Sequence, residues 1–136
     1  MKKIIILFCL HFFLFAQAQE YSSANIHSHN DYAGKLPFYE AYSNEAGVIE
    51  ADVFLRNNEL LVAHTSEGIK TYNTLRSLYL DPLSKNIKNL EGKVYPENKP
   101  LILMIDVKSD AEATLKLIEQ QLKNFPEIIS NKNIRI

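Results

Sequence analysis

Glu50 and Asp52 stand two residues apart in Gly47-Val-Ile-Glu-Ala-Asp-Val-Phe-Leu55, a run with the length and β-branched content of a strand. Successive side chains on a strand point to opposite faces. The two carboxylates therefore share one face, and Ile49, Ala51, Val53 and Leu55 make the other, wholly apolar one. Neighbouring carboxylates on an otherwise buried strand repel each other and lose hydration, at a cost of several kcal/mol each if unpaired. A bound cation is the simplest remedy. Pairing with lysines is the alternative, because structural ion pairs also collect acids. Residues 56–59 read as a tight polar turn, and residues 60–63 as a short return strand that delivers His64 near the same end.

Two further stretches bring ionisable groups. In residues 24–29, a short strand by pattern, His27, His29 and Asp31 fall on one face by the period of two. Residues 101–107 form the clearest strand: Leu101, Leu103, Ile105 and Val107 on one face, Ile102, Met104, Asp106 and Lys108 on the other. Apolarity on both sides predicts a strand buried on both faces, as in a parallel sheet. Asp106 and Lys108 are either site residues or a plain salt bridge. Asn30 and Asp31 hold an ion or an imidazole, or only shape the turn, as Asx residues often do.

The elements that must position these groups alternate. After the first strand, Pro37 starts a short helix over residues 38–45, with Gly47 as its terminator. A strand, a helix and a strand within about thirty residues form a βαβ unit with neighbouring parallel strands. Beyond His64 comes a loop to Asn73, then a helical turn or two over residues 74–80. Asp81-Pro82 reads as an N-cap and first-turn proline of a helix that Leu83, Ile87 and Leu90 line and Gly92 ends. Ser109 and Glu112 have capping-box spacing for a helix to about Asn124, with Leu115, Ile118, Leu122 and Phe125 inward. Residues 133–136 look like the start of another strand. Each strand puts its ionisable residues at or near its C-terminal end, where parallel sheets, open or closed, bind ligands.

Composition, 46% hydrophobic and 23% charged, is that of an ordinary globular chain with one small core. Residues 1–18 are expected to lie outside it as a signal peptide: Lys2 and Lys3, an apolar run over residues 4–15, and Ala16-Gln17-Ala18 as a small-x-small cleavage site. The run is shorter than the about 20 apolar residues of a membrane span, so no transmembrane span is expected in the mature chain, which would be secreted or periplasmic. Cleavage removes Cys9, the single cysteine, so stability must come from packing without a disulfide. Without Lys2 and Lys3, fifteen basic residues become thirteen against sixteen acidic ones, with no basic tract to expect nucleic acid.

The order His-Asn-Asp, Glu-x-Asp, His, Asp-x-Lys resembles the glycerophosphodiester and phosphatidylinositol-phospholipase-C-like phosphodiesterase superfamily of TIM barrels. Ile26-His-Ser-His-Asn-Asp-Tyr32, Glu50-Ala-Asp52-Val and Leu78-Tyr-Leu-Asp-Pro-Leu83 are similar to its "altered inheritance of mitochondria" branch. The resemblance implies His29 and His64 as general acid and base, with His27 a second candidate for the first role. It implies Glu50, Asp52 and Asp106 as ligands of a divalent cation, and Lys108 facing the phosphate. Asn30 stands where the glycerophosphodiesterase type has Arg, and Leu36-Pro-Phe-Tyr39 replaces its Pro-Glu-Asn-Thr signature; Asn30 is therefore taken as the neighbouring phosphate contact. The implied substrate is a phosphodiester small molecule or a phospholipid head group.

Oxygen ligands alone favour Mg²⁺ or Ca²⁺ over zinc, and imidazoles suit proton transfer near neutral pH. A barrel takes about 250 residues, and four parallel strands are half of eight. Residues 19–136 are thus expected to form the N-terminal half of a (β/α)8 barrel, in a longer protein or a truncated gene product. Two rivals stand beside this. His27-x-His29 could open an amidohydrolase or polymerase-and-histidinol-phosphatase barrel with zinc or manganese, which leaves Glu50, Asp52, Asp106 and Lys108 without a role. Alternatively the chain is a non-catalytic binding module, since a half barrel exposes two strand edges.

Overall fold

The structure, a computed structural model, describes residues 21–97 and 99–136. The expected signal peptide and Cys9 lie outside the described residues. The fold is mixed α/β around a largely parallel sheet whose central strand is β2, Val48–Arg56. On one side β2 runs parallel to β4, Leu101–Val107, in register from Val48↔Ile102 to Val53↔Val107. On the other side it meets β1, His27–Ser28, through His27↔Val48 and Ser28↔Ile49. β5, Ile134–Arg135, lies parallel to the far edge of β4, so the parallel strands are ordered β1-β2-β4-β5. β3, Glu59–Val62, returns antiparallel along the last residues of β2. The hairpin between them turns on Asn57 and Asn58, both left-handed at φ 49° and 62°, as a two-residue type I′ turn requires.

The apolar face of β2 packs as its alternation demands. Ile49, Ala51 and Val53 are fully buried and join Leu101 and Leu103 of β4 and Leu60 and Val62 of β3 in one core. It is closed by Phe38 and Ala41 of the α1 region (Tyr39–Ser43), by Leu83 and Ile87 of α2 (Asp81–Asn89), and by Ile118 of α3 (Ala111–Leu122). A fourth, one-turn helix, α4 (Pro126–Ile129), adds Ile128. Burying each Val, Leu, Ile or Phe side chain of this core contributes about 1.5–3 kcal/mol.

Several local expectations are corrected. The first strand is only His27–Ser28, preceded by a 3₁₀ turn at Ser23–Asn25 and stopped by Asn30 at φ 50°. The left-handed residue breaks the period of two, so Asp31 does not share a face with His27 and His29. Its buried carboxylate instead accepts from Ser28 Oγ (2.8 Å), the Phe38 amide and Tyr79 Oη (3.1 Å). Gly47 is no helix terminator. α1 already ends at Ser43, and Gly47 lets the Ala24 carbonyl approach where a Cβ would lie 1.9 Å from its oxygen.

Asp81 is not an N-cap either: a π-turn, Arg76–Leu80, runs straight into α2. Pro82 has no N–H to give and its ring crowds the carbonyl four residues back, which the wider turn accommodates; Asp81 pairs with Arg76 instead (3.3 Å). The cap of α3 is Asp110, which accepts from the Ala113 amide at 2.8 Å, while Ser109 Oγ accepts from the Leu55 amide at 2.8 Å. α3 accordingly turns Thr114 and Ile118 inward and leaves Leu115 52% exposed. β4 is buried on one face only, since Met104 on the other is 41% exposed.

Candidate active site

The parallel register builds the site. Asp52 of β2 lies directly opposite Asp106 of β4, and Glu50 opposite Met104. Neighbouring strands sit about 4.8 Å apart, so two aspartates in register on the same face have to meet. Glu50, two residues back on that face, reaches forward with its longer side chain. One carboxylate oxygen from each of Glu50, Asp52 and Asp106 lies within 4.8 Å of the others, on the face turned away from the helices.

Asp52 is 0% exposed and Glu50 nearly so. Asp52 Oδ2 accepts from Tyr32 Oη at 2.8 Å and lies 3.3 Å from Lys108 Nζ and 3.4 Å from His64 Nδ1. Asp52 Oδ1 is buried and, among the described residues, has no hydrogen-bond partner. An ionised oxygen left bare costs the full desolvation of that group, and it fits a cation ligand better than a structural ion pair. Lys108 Nζ bridges Asp52 and Asp106, and hydrogen bonds to these carboxylates, Asp106 first, raise its pKa. Among the described residues one lysine faces these three carboxylates, which leaves excess negative charge. Their all-oxygen donor set suits a hard divalent cation.

The histidines surround the acids. His27 Nε2 is 2.7 Å from Glu50 Oε2, and His29 Nε2 is 3.5 Å from Glu50 Oε1. Their rings meet edge to face at 5.9 Å. His64, held by the Ala63 amide's bond to the Asp52 carbonyl (3.2 Å), comes back along β3 to the Asp52 side. The expected residues His27, His29, Glu50, Asp52, His64, Asp106 and Lys108 are thus brought together. Asn30 borders them, its Oδ1 accepting from Tyr32 Oη at 2.8 Å. Asp31 is turned away into the packing. Both ring nitrogens of His27 and His29 that approach an acid approach Glu50, and neither ring belongs to the gathered oxygen triad.

Tyr32 is the residue that reading the sequence missed. Its hydroxyl touches Asp52, Asn30 and, at 3.3 Å, His64 Nδ1. Burial, then the hydrogen bond to Asp52 and the surrounding carboxylates, push its pKa well above the ordinary tyrosine value, which keeps it a hydroxyl donor. Its sequence signal was its place at the end of the Ile26–Tyr32 motif, directly after Asn30-Asp31. The left-handed turn at Asn30 swings it over the sheet, and a period-of-two count cannot foresee that.

A family model described as the AIM6-like phosphodiesterase domain matches residues 17–129, and the chain belongs to that family. Among curated proteins it is 37% identical over 106 residues to the altered inheritance of mitochondria protein 6 homolog of Arthroderma benhamiae, covering 64% of this chain and 34% of that protein. It is 33% identical over 112 residues to altered inheritance of mitochondria protein 6 of Eremothecium gossypii, covering 72% of this chain and 29% of the relative. The Kluyveromyces lactis protein of that name is 38% identical over 77 residues, 54% of this chain and 18% of its own length. The chain thus spans about a third or less of the curated relatives it matches. No solved structure matches it.

Proposed function

We propose that this chain carries the metal and acid–base half of a phosphodiesterase site. The observation that carries the reading is the convergence of Glu50, Asp52 and Asp106, with the bare Asp52 Oδ1 among them. These three carboxylates would hold Mg²⁺ or Ca²⁺, which when bound neutralises a nonbridging phosphoryl oxygen and polarises phosphorus. His64 and His29 divide the proton work: one takes the proton of the attacking hydroxyl or water, the other protonates the leaving oxygen. His27, tight on Glu50, orients that ligand and is the second candidate for the first-strand role. Lys108 stabilises developing charge on the phosphoryl group, and Asn30 contacts it from the turn. The substrate is a phosphodiester small molecule or a phospholipid head group.

The same reading makes residues 19–136 the N-terminal half of a (β/α)8 barrel. Among the described residues the sheet has open edges at β1 and β5, Met104 lies exposed on the face that would become the barrel interior, and the relatives are far longer. Residues 1–18 act as a signal peptide for a secreted or periplasmic protein. Among the described residues no helix is long and apolar enough to cross a membrane. The test is hydrolysis of a generic phosphodiester, bis(p-nitrophenyl) phosphate, by the full-length product with and without Ca²⁺ or Mg²⁺. His64→Ala and Glu50→Ala are each expected to lower the rate at least about 10²-fold. Full activity in EDTA would remove the metal from the account.

A further inference from the structure

We infer that Tyr32 is a positioning residue that holds His64 as its Nδ1–H tautomer, with the bare Nε2 facing outward as the proton acceptor. The inference deepens the reading of His64 as a proton carrier and rests on it for its function, though not for its geometry. Proton accounting carries it. Tyr32 has one hydroxyl proton and three polar neighbours: Asp52 Oδ2 and Asn30 Oδ1, each at 2.8 Å, and His64 Nδ1 at 3.3 Å. A hydroxyl proton goes to the charged acceptor, where the bond is about twice as strong as a neutral one. Asn30 Oδ1 competes for the same proton and offers none to the ring.

The phenol oxygen is then left presenting a lone pair to His64. Asp52 Oδ2, already an acceptor, stands 3.4 Å from the same ring nitrogen. Two acceptors converge on Nδ1, so Nδ1 must carry the hydrogen, because the partner of one ring nitrogen decides the state of the other. This is contrary to the preference of an imidazole in water, which favours Nε2–H, and the His64 side chain is 68% exposed. Solvent would not choose this tautomer; Tyr32 and Asp52 do.

Tyr32 is itself held from behind. It follows Asp31, whose buried carboxylate is tied to Ser28, to the Phe38 amide and to Tyr79. Asn30 at φ 50° and Phe38 at φ 68° bracket this short turn. Asn takes the left-handed region readily, but the Phe38 conformation persists only where the surroundings impose it.

The test is ¹⁵N NMR of the histidine rings at a pH where His64 is neutral, in the wild-type protein and in Tyr32→Phe, which keeps the ring and deletes the hydroxyl. The wild type is expected to show His64 with protonated Nδ1 and bare Nε2. Tyr32→Phe removes the nearer of the two acceptors and leaves only Asp52 Oδ2, at 3.4 Å, so it is expected to shift part of that population toward Nε2–H and to lower kcat roughly 10–100-fold, the usual loss for a group that orients a functional side chain, with KM changed less than about twofold. A wild-type His64 in the Nε2–H form overturns the inference whatever the variant does. An unchanged tautomer in a folded Tyr32→Phe overturns it too, even if metal binding weakens through Asp52. If the tautomer shifts as expected but His64→Ala retains full activity, the positioning stands and the catalytic reading of His64 falls.

Discussion

Gly47→Ala tests how the first-strand histidines are held on the sheet. The methyl group would sit 1.9 Å from the Ala24 carbonyl oxygen and 2.7 Å from its carbon, where real Cβ atoms essentially never come under 3.0 Å. The chain before β1 must therefore retreat by about 1.1 Å, to bring the carbonyl oxygen from 1.9 Å out to 3.0 Å. That retreat pulls on the two bonds that dock it, Gly47 N–H to Ser23 O (3.2 Å) and Val48 N–H to Ile26 O (3.1 Å). Losing two such bonds, with the packing around them, costs roughly 2–3 kcal/mol. At about 4 °C per kcal/mol for a domain of this size, the melting temperature should fall by roughly 8–12 °C. Because β1 carries His27 and residue 29 follows it, activity should fall with stability even at temperatures where the variant stays folded. Ala24→Gly should not rescue, since the obstruction is a backbone carbonyl. Thermal and urea melts by circular dichroism give the stability, and the phosphodiester assay the activity. A variant within about 0.5 kcal/mol of wild type, with an unchanged rate, would refute the close approach and the role given to it.

In EDTA, Asp52→Asn should be more stable than wild type. At an effective dielectric of about 20, each repulsion near 4.8 Å is about 3.5 kcal/mol, and two outweigh an attraction of about 5 kcal/mol to Lys108; solvent screening trims the net gain to about 1 kcal/mol. A lower melting temperature for this variant in EDTA would show the acids to be a structural ion-pair cluster. Tyr79→Phe removes the buried hydroxyl that donates to Asp31 and should cost about 1–3 kcal/mol by urea denaturation; a neutral effect would mean that Asp31 does not need it. Burial raises the pKa of Tyr79 and of Tyr95, whose hydroxyl donates to the Ala46 carbonyl. A group raised on folding lends stability that is complete below its unfolded pKa of about 10 and is lost as pH climbs above it. Melting temperatures should therefore drop steadily above pH 10, and constancy there would contradict the buried phenols.

Most of the sheet was readable because period-two patterning and burial agree. β2 and β4 fall where the alternation of residues 48–55 and 101–107 puts them, and the observed register then sets Asp52 against Asp106. What escaped was decided by single backbone conformations or by tertiary contact. Asn30 in the left-handed region turned Asp31 inward and Tyr32 toward the acids. Gly47 looked like a helix stop, but its lack of a Cβ is used by a carbonyl from a different segment. Asp81-Pro82 has the composition of a helix start, yet the preceding turn widens and runs through it. The outward face of β4 opens with apolar Ile102 and Met104 before Asp106 and Lys108, so its first half reads as covered although Met104 is exposed.

Calorimetric titration of the protein with Ca²⁺ and with Mg²⁺ tests the central claim most directly. The convergence of residues 50, 52 and 106 predicts one divalent site per chain, lost in Glu50→Gln and in Asp106→Asn. It should be intact in Glu45→Gln, whose carboxylate pairs with Lys99 away from the triad. No binding of either ion, or binding that survives Glu50→Gln and Asp106→Asn unchanged, would contradict it.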